Sequence, residues 1–453
     1  MKDKIRIASG QGFWGDLLIA PVEQVRKGPV DYLVMDYLAE VTMSILQKQK
    51  LKNPSAGYAR DFPEVIREIL PDIKSKKIKV ISNAGGVNPT ACRDKITEYA
   101  RQAGISGLSV AVITGDDILS RLDEMIGSGI ALKNMDNGKS LSAVREKVVS
   151  ANVYFGAAPI VEALRQGADI IITGRTTDTG LTLAPMIHEF GWSLENWDKL
   201  AAGTVAGHIL ECGAQSSGGN FTDWRKVKDF VNIGFPICEA CPDGSFYITK
   251  HEKSGGYVHS MTVKEQLLYE IADPAQYITP DCIADFTSIH LKDEGKNRVK
   301  VYGITGSPRT PFLKVSISYS DGWKAGTSLT YAWPEAKEKA EAAAKILKGR
   351  LDKLGLKFEE YRSELIGVNA CHENTAPVPE GEINEVQLRV AVRGKDPASI
   401  ERFGKEIAPL ILTGPPSVTG FAGGRPAPSE IIAYWPALIP REAVKPEVSV
   451  VKI

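Results

Sequence analysis

The first half of the chain alternates short, continuous apolar runs with longer segments of helical period. Ile5–Ala8, Tyr32–Met35, Ile78–Ser82, Leu108–Ile113 and Asp169–Thr173 read as strands. Runs this short and this unbroken are what a strand covered on both faces requires. Between them apolar positions recur every three or four residues. That spacing predicts helices over Ala39–Gln47, Glu64–Leu70 and Pro89–Gln102, from Ile118 onward, within Val153–Gln166 and over Thr182–Phe190. Strand alternating with helix implies parallel strands joined by crossover helices, in an open doubly wound sheet or a barrel.

The second half changes character. Pro242-Asp243-Gly244 interrupts Phe235–Lys250 as a hairpin turn would. Val263–Ile271 reads as helix, ended by Asp273-Pro274, and Cys282–Leu291 and Val299–Tyr302 as extended chain. Leu313–Tyr319 and Thr327–Ala332 flank a Gly turn, as in a hairpin. Pro334 opens a Lys/Glu/Ala-rich helix to about Leu354, Ser363–Val368 and Val386–Val392 are strands, and Pro397–Leu412 is helical. The order strand–strand–helix–strand–strand–helix suggests a small α+β sandwich of ferredoxin-like type. The expectation is an α/β domain over 1–310, with a mainly parallel, doubly wound sheet, and a ferredoxin-like α+β domain over 311–453. The Pro/Gly-punctuated stretch Thr413–Pro428 reads as a functional or packing loop.

Composition narrows the function. A chain of 453 residues is too long for one ordinary core. Lys plus Arg and Asp plus Glu are both 55, so neither nucleic acid nor an anionic membrane is expected as partner. No apolar run approaches the roughly 18 residues of a membrane span, and the N-terminus lacks a signal-peptide core, so a cytoplasmic protein is expected. Six cysteines do not make a disulfide scaffold in a chain of this length. Cys238 and Cys241 form a C-x-x-C without a second pair, followed by a turn, unlike a zinc ribbon or a thioredoxin motif.

In parallel α/β sheets ligands bind beyond the carboxyl ends of the strands. Those positions are rich here in glycine and short polar side chains. Gly10 and Gly12, in the loop that runs to Asp16, would let backbone N–H groups approach an anion. Asp36 and Glu40 are spaced to share a helical face, for metal binding or divided acid and base roles. Asn83, Gly85 and Gly86 follow the third strand, and Thr114, Asp116 and Asp117 the fourth. Arg175 and Asp178 follow the fifth. An arginine there suits a bidentate grip on a carboxylate or phosphate, and the alternative is a buried Arg–Asp pair. His208, Glu211 and Cys212 precede Ser216, Ser217, Gly218, Gly219 and Asn220. His208 and Glu211 share a helix face, and Cys212 is a nucleophile only if its pKa is lowered. Lys250 ends a strand and is a further anion-binding candidate. No P-loop, zincin or serine-hydrolase motif is present.

These loops, in the stretches IRIASGQGFWGD, DYLVMDYLAEVTM, SNAGGVNP, NVYFGAAPIVEALRQGADIIITGRTTDTGLTLAP, GHILECGAQSSGGNFTDW and EQLLYEIADPAQYITPDCIADFTS, resemble the acyclic terpene utilisation family, AtuA. The likeness runs over nearly the whole chain. It implies a place in the breakdown of acyclic terpenes, whose intermediates are branched acyl-CoA thioesters.

The first expectation is therefore a catabolic lyase or hydratase acting on a branched carboxylic acid or its CoA thioester. Asn83, Arg175 and the Ser216–Asn220 loop would hold oxygens. Asp36, Glu40, Asp178, Glu211 or His208 would move the proton. CoA enters as part of the substrate, and the residues name no other cofactor. If a metal takes part, oxygen ligands suit Mg²⁺ or Mn²⁺. A homo-oligomer is expected, with room for a small partner subunit. Two other readings are a non-catalytic or partner-dependent subunit binding an acyl-CoA or carboxylate, and a nucleotide-dependent ligase or transferase using the Gly10–Asp16 loop.

Overall fold

The computed structural model describes residues 2–377, 380–421 and 423–453. Residues up to Ser318 together with Tyr434–Ile453 form one compact unit, and Tyr319–Ala433 forms a second.

The first unit is built on a ten-stranded sheet. In chain order we number its strands β1 (Ile5–Gln11), β2 (Tyr32–Met35), β3 (Lys79–Ser82), β4 (Ser109–Thr114), β5 (Ile170–Thr173), β6 (Pro236–Ala240), β7 (Phe246–Lys250), β8 (His290–Asp293) and β9 (Val299–Tyr302); the tenth is Glu447–Lys452. Their order across the sheet is β8-β9-β7-β6-β1-β2-β3-β5-β4, then Glu447–Lys452. From β1 through β2, β3 and β5 to β4 every neighbour is parallel. The strands added outside that core, on both edges, are antiparallel. A mainly parallel sheet is thus corrected to a mixed one with a parallel core. The hairpin of β6 and β7 extends one edge, and the chain's C-terminal strand, which has no glycine-rich loop to announce it, closes the other.

Alternation explains why the core strands read as unbroken apolar runs. Tyr32 and Val34 of β2 enter one hydrophobic cluster, and Leu33 and Met35 enter the other. Ile171 of β5 and its neighbours Ile170 and Ile172 divide the same way. Successive side chains point to opposite faces, and both faces are covered. Phe62, Ile66 and Ile69 of the helix Asp61–Lys76 and Ile96 of Pro89–Gln102 cover one face. Ile160, Leu183, Ile187, Val205 and Ile209, from the helices Ala158–Arg165, Gly180–Phe190 and Trp197–Glu211, cover the other. Among the described residues no helix is long and apolar enough to cross a membrane.

The second unit holds an antiparallel sheet. The expected hairpin at Leu313–Tyr319 and Thr327–Ala332 is instead one strand, Phe312–Ala332. Gly322 takes φ +99° where the hairpin turn was expected, and a Cβ there would lie 2.7 Å from the Gly394 carbonyl oxygen of the adjacent strand. The glycine therefore accommodates a close strand neighbour rather than a reversal. The element order becomes strand (312–332), helix Ala336–Lys353, strand Glu360–Ile366, strand Glu385–Gly394, helix Pro397–Ile407, strand Ser429–Pro440. Glu360–Ile366 pairs with Glu385–Gly394, which pairs with Phe312–Ala332, and Ser429–Pro440 also pairs with the long strand. Leu329, Tyr331, Leu388 and Val390 pack beneath Ala340, Leu347 and Phe403. Within Thr413–Pro428, Ala422 lies outside the described residues.

Candidate active site

Strands β1, β2 and β5 run parallel, so the loops after them emerge at the same edge of the sheet. There they meet the C-terminal end of the helix Trp197–Glu211. Together they line a cavity of about 570 Å³.

The loop after β1 is closed by Asp16. Its Oδ2 accepts from the Gly12 amide at 2.9 Å and its Oδ1 from the Leu17 amide at 2.7 Å. A Cβ on Gly12 would stand 2.6 Å from the Gly213 nitrogen and 2.8 Å from the Cys212 carbonyl carbon. The missing side chain is what lets this loop close against the helix end.

Asp36 follows β2 and is buried. Asn83 donates to its Oδ1 at 2.7 Å and accepts from the Tyr37 amide at 2.8 Å. Burial pushes the Asp36 carboxyl up to about 6, against the pull of Asn83 and Arg175, and the charge of Glu211 adds to the rise. Glu40 opens the helix Glu40–Lys52. Burial would raise its carboxyl, but Arg175, its own backbone N–H, Tyr154 and Lys314 outweigh that and lower it.

Arg175 follows β5 and is only 2% exposed. Its Nη1 donates to the Leu38 carbonyl at 2.6 Å and meets Asp178 Oδ1 at 3.3 Å. Its guanidinium lies over the Tyr154 ring, and its Nε has no partner. Burial works against its charge, yet Asp178, Tyr154, Asp36 and Glu40 more than restore it and raise its pKa. The anticipated Arg175–Asp178 pair is thus formed through Nη1, while Nε of the fork is left without a partner. Asp178 lines the cavity at the other end of this pair. Burial pushes its carboxyl well above the ordinary value; Arg175 opposes this, and Asp36, Glu211 and Glu40 reinforce it.

Glu211 and Cys212 lie at the helix end. Burial, then the Glu211 charge, push the Cys212 thiol up to about 12, so it stays protonated near neutrality and the nucleophile reading loses its basis. His208 lies behind Glu211, away from the cavity, with Nε2 on the Gln266 carbonyl at 2.9 Å.

Of the residues singled out in the sequence, the cavity gathers Gly12, Asp36, Glu40, Arg175, Asp178, Glu211, Cys212, Gly219 and Asn220. The others lie elsewhere. Gly10, Gly85 and Gly86 abut packed side chains of the fold. Asn83 supports Asp36 from behind. Asp116 receives the Arg175 amide at 2.8 Å and Asn152 Nδ2 at 3.0 Å, and burial pushes it up to about 7. Thr114 ends β4 outside the lining. Ser216 and Ser217 are buried with unpartnered hydroxyls, and Gly218 turns the chain between them and Gly219. Lys250 is turned inward: its Nζ donates to the Ser254 carbonyl at 2.6 Å and hydroxyl at 3.2 Å, and burial lowers its pKa. It is a capping cation there, not an anion site open to a ligand.

The cavity also takes Tyr269 and Glu270, which the sequence reading had placed inside a helix. That helix is Ser260–Leu268, and the chain leaves it at Tyr269, with Glu270 at φ +58°. Tyr154, beneath Arg175, follows the short strand Val148–Val153, whose mixed composition gave no signal. Among the described residues, Asp16, Asp36, Glu40, Asp178, Glu211 and Glu270 line the cavity against the single guanidinium of Arg175. Among the described residues no group of three or more His, Cys, Asp or Glu side chains is arranged to hold a metal ion.

The family model of the acyclic terpene utilisation family protein AtuA matches residues 5–450. The chain belongs to the AtuA family. The matched range includes every residue that lines the cavity. No curated protein and no solved structure matches the chain. The AtuA assignment places the protein in acyclic terpene utilisation.

Proposed function

We propose that this AtuA-family protein is a catabolic lyase or hydratase that acts on a branched acyl thioester in the acidic cavity. The observation that carries this is the pairing of two carboxyl groups lining one cavity, Asp36 buried and Asp178 partly exposed, with raised pKa values and within the field of one fixed arginine. A carboxyl poised near 6 is ionised at neutral pH yet basic enough to take a proton from carbon beside a carbonyl. A carboxyl held protonated can donate a hydrogen bond to the carbonyl oxygen as negative charge develops there. In this reading Asp36 is the base and Asp178 the donor.

Charge selects between the two substrate forms. Six lining carboxyl groups face one guanidinium whose Nη1 is already engaged. A free carboxylate entering such a site meets net repulsion, whereas a thioester presents a neutral carbonyl. The raised pKa of Asp36 and Asp178 reduces that repulsion without reversing it. For the architecture, helices on both faces of the first sheet support the doubly wound reading, and the order strand–helix–strand–strand–helix–strand supports a ferredoxin-like second unit.

A thermal-shift comparison of branched 3-hydroxyacyl-CoA thioesters with the matching free acids tests this. A ligand at a hundred times its Kd adds about 2.7 kcal/mol. The thioesters should stabilise the protein more than CoA alone or the acids. Stabilisation by the acids alone would rule out the thioester reading.

A further inference from the structure

The lining of the acidic cavity divides by depth. Asp36 and Arg175 are 7% and 2% exposed and form its floor. Phe13 and Tyr269 line the same cavity but are 59% and 42% exposed, so they stand at its mouth. A single exposed apolar side chain needs no explanation. Two large aromatic side chains, from separate segments of the chain and bordering one carboxyl-rich cavity, are apolar surface left open where a ligand enters.

The backbone holds both in place. The Phe13 carbonyl accepts from the Asp16 amide at 3.2 Å, which closes a tight turn. On the other side of Phe13, the Gly12 amide is held by Asp16 at 2.9 Å, and Gly12 lies against the backbone of Cys212 and Gly213. The Tyr269 amide donates to the Gln266 carbonyl at 3.2 Å. Gln266 is fixed in turn by its side chain, which donates to the His208 carbonyl at 2.8 Å. Glu270 then takes φ +58°, a left-handed conformation unfavourable for a residue with a Cβ, and Ile271 packs against the core. This bend leaves Tyr269 at the cavity while the chain returns to the interior. The rings are thus anchored through their backbones, and much of their apolar surface stays uncovered.

Space and charge decide which part of an acyl thioester covers them. Behind the floor the volume is filled: Arg175 Nη1 donates to the Leu38 carbonyl at 2.6 Å, and Asn83 donates to Asp36 at 2.7 Å. With the reacting carbon beside Asp36, the rest of the acyl chain cannot continue past the floor and turns back toward the mouth. The phosphates of CoA are repelled by Asp16 and Glu270, which line the cavity near the two rings, and stay in solvent. A saturated branched chain carries no polar group, and covering the rings releases water from apolar surface on both sides.

We propose that Phe13 and Tyr269 form the acyl-chain subsite of the cavity, in which the two rings clasp the branched, saturated end of the acyl group and set the chain lengths the protein accepts. This rests on the lyase or hydratase reading of the same cavity.

Titration calorimetry of the full-length protein tests it, with branched 3-hydroxyacyl-CoA thioesters lengthened one methylene at a time. Each methylene buried against the rings should lower Kd by up to about 4-fold, until the chain outgrows the pair. Tyr269→Phe keeps the ring and should keep this increment. Phe13→Ala combined with Tyr269→Ala should bring it below about 1.5-fold per methylene. Either alanine variant alone should lose part of the increment, so the test survives if the double variant does not fold. An increment unchanged in the alanine variants, or absent from the unmodified protein, overturns the proposal. Equal weakening of every thioester and of CoA alone also overturns it, because the rings would then hold the CoA arm. Deuterium exchange from D₂O into the shortest thioester, on the unmodified protein, separates this from the reading it rests on. Exchange with a flat chain-length series overturns the acyl subsite alone. A graded series that flattens in the alanine variants supports the subsite, and if exchange is then absent, it is the lyase or hydratase reading that is contradicted.

Discussion

The guanidinium carbon of Arg175 lies 4.3 Å from the centroid of the Tyr154 ring, while the Tyr154 hydroxyl donates to Glu40 Oε1 at 2.9 Å. One side chain therefore supports the only cation among the described lining residues with its face and one of the cavity's carboxylates with its edge. The two functions separate on mutation. Tyr154→Phe keeps the ring and should cost about 1 kcal/mol, the value of a hydrogen bond to a partly exposed carboxylate. Tyr154→Ala also removes the ring and leaves a cavity beside a buried charge, at a cost of about 3–5 kcal/mol. Urea denaturation of both variants measures the difference.

Asp116 offers a test of the electrostatics outside the cavity lining. Its Oδ2 alone receives both the Arg175 amide and Asn152, so an asparagine oxygen in that position satisfies both donors. Burial has raised its carboxyl to about 7 from an ordinary value of about 4. Between those values the folded state holds a proton that the unfolded state has lost. The stability this group contributes is full below about pH 4 and is lost as pH rises through about 7. Asp116→Asn should match the unmodified protein near pH 4. At pH 8 it should exceed it by at least about 1.4 kcal/mol, the linkage value of one pKa unit. Denaturation midpoints at both pH values check the sign.

A thiol pushed up to about 12 does not alkylate readily. Iodoacetamide near neutral pH should modify exposed Cys371 well before Cys212, read by peptide mass spectrometry. Cys212→Ser should leave ligand-induced stabilisation intact.

Much of the site was legible because it follows strands. Asp36, Glu40, Arg175 and Asp178 come just after unbroken apolar runs, and the parallel topology brings such positions to one edge of the sheet. The spacing of His208 and Glu211 also identified a real pair. Direction was not legible. Asn83 and Asp116 sit at equivalent strand ends but turn toward the protein, and Lys250 folds back onto Ser254. Periodicity also misses places where it continues past the element. The VKEQLLYEI stretch keeps its helical pattern beyond the actual end at Leu268, which concealed Tyr269 and Glu270. Gly322 looked like a turn because glycine permits one, but its adjacent strand needed the space instead.

Gly12 should resist even the smallest substitution. A Cβ there would press on the backbone of Cys212 and Gly213, so Gly12→Ala must move either the loop or the helix end. A loss of about 1–3 kcal/mol in stability, with weaker ligand-induced stabilisation, is the expected result of that overpacking.

The most direct test of the central claim is deuterium incorporation from D₂O into the acyl part of a branched 3-hydroxyacyl-CoA, followed by mass spectrometry. The full-length protein should catalyse the exchange, and Asp36→Asn, which keeps the shape but not the basicity of the carboxylate, should lower the rate at least 100-fold. Exchange that proceeds equally in Asp36→Asn, or a thioester that binds in the cavity without exchanging, would contradict the assignment of this acidic cavity to proton-transfer chemistry.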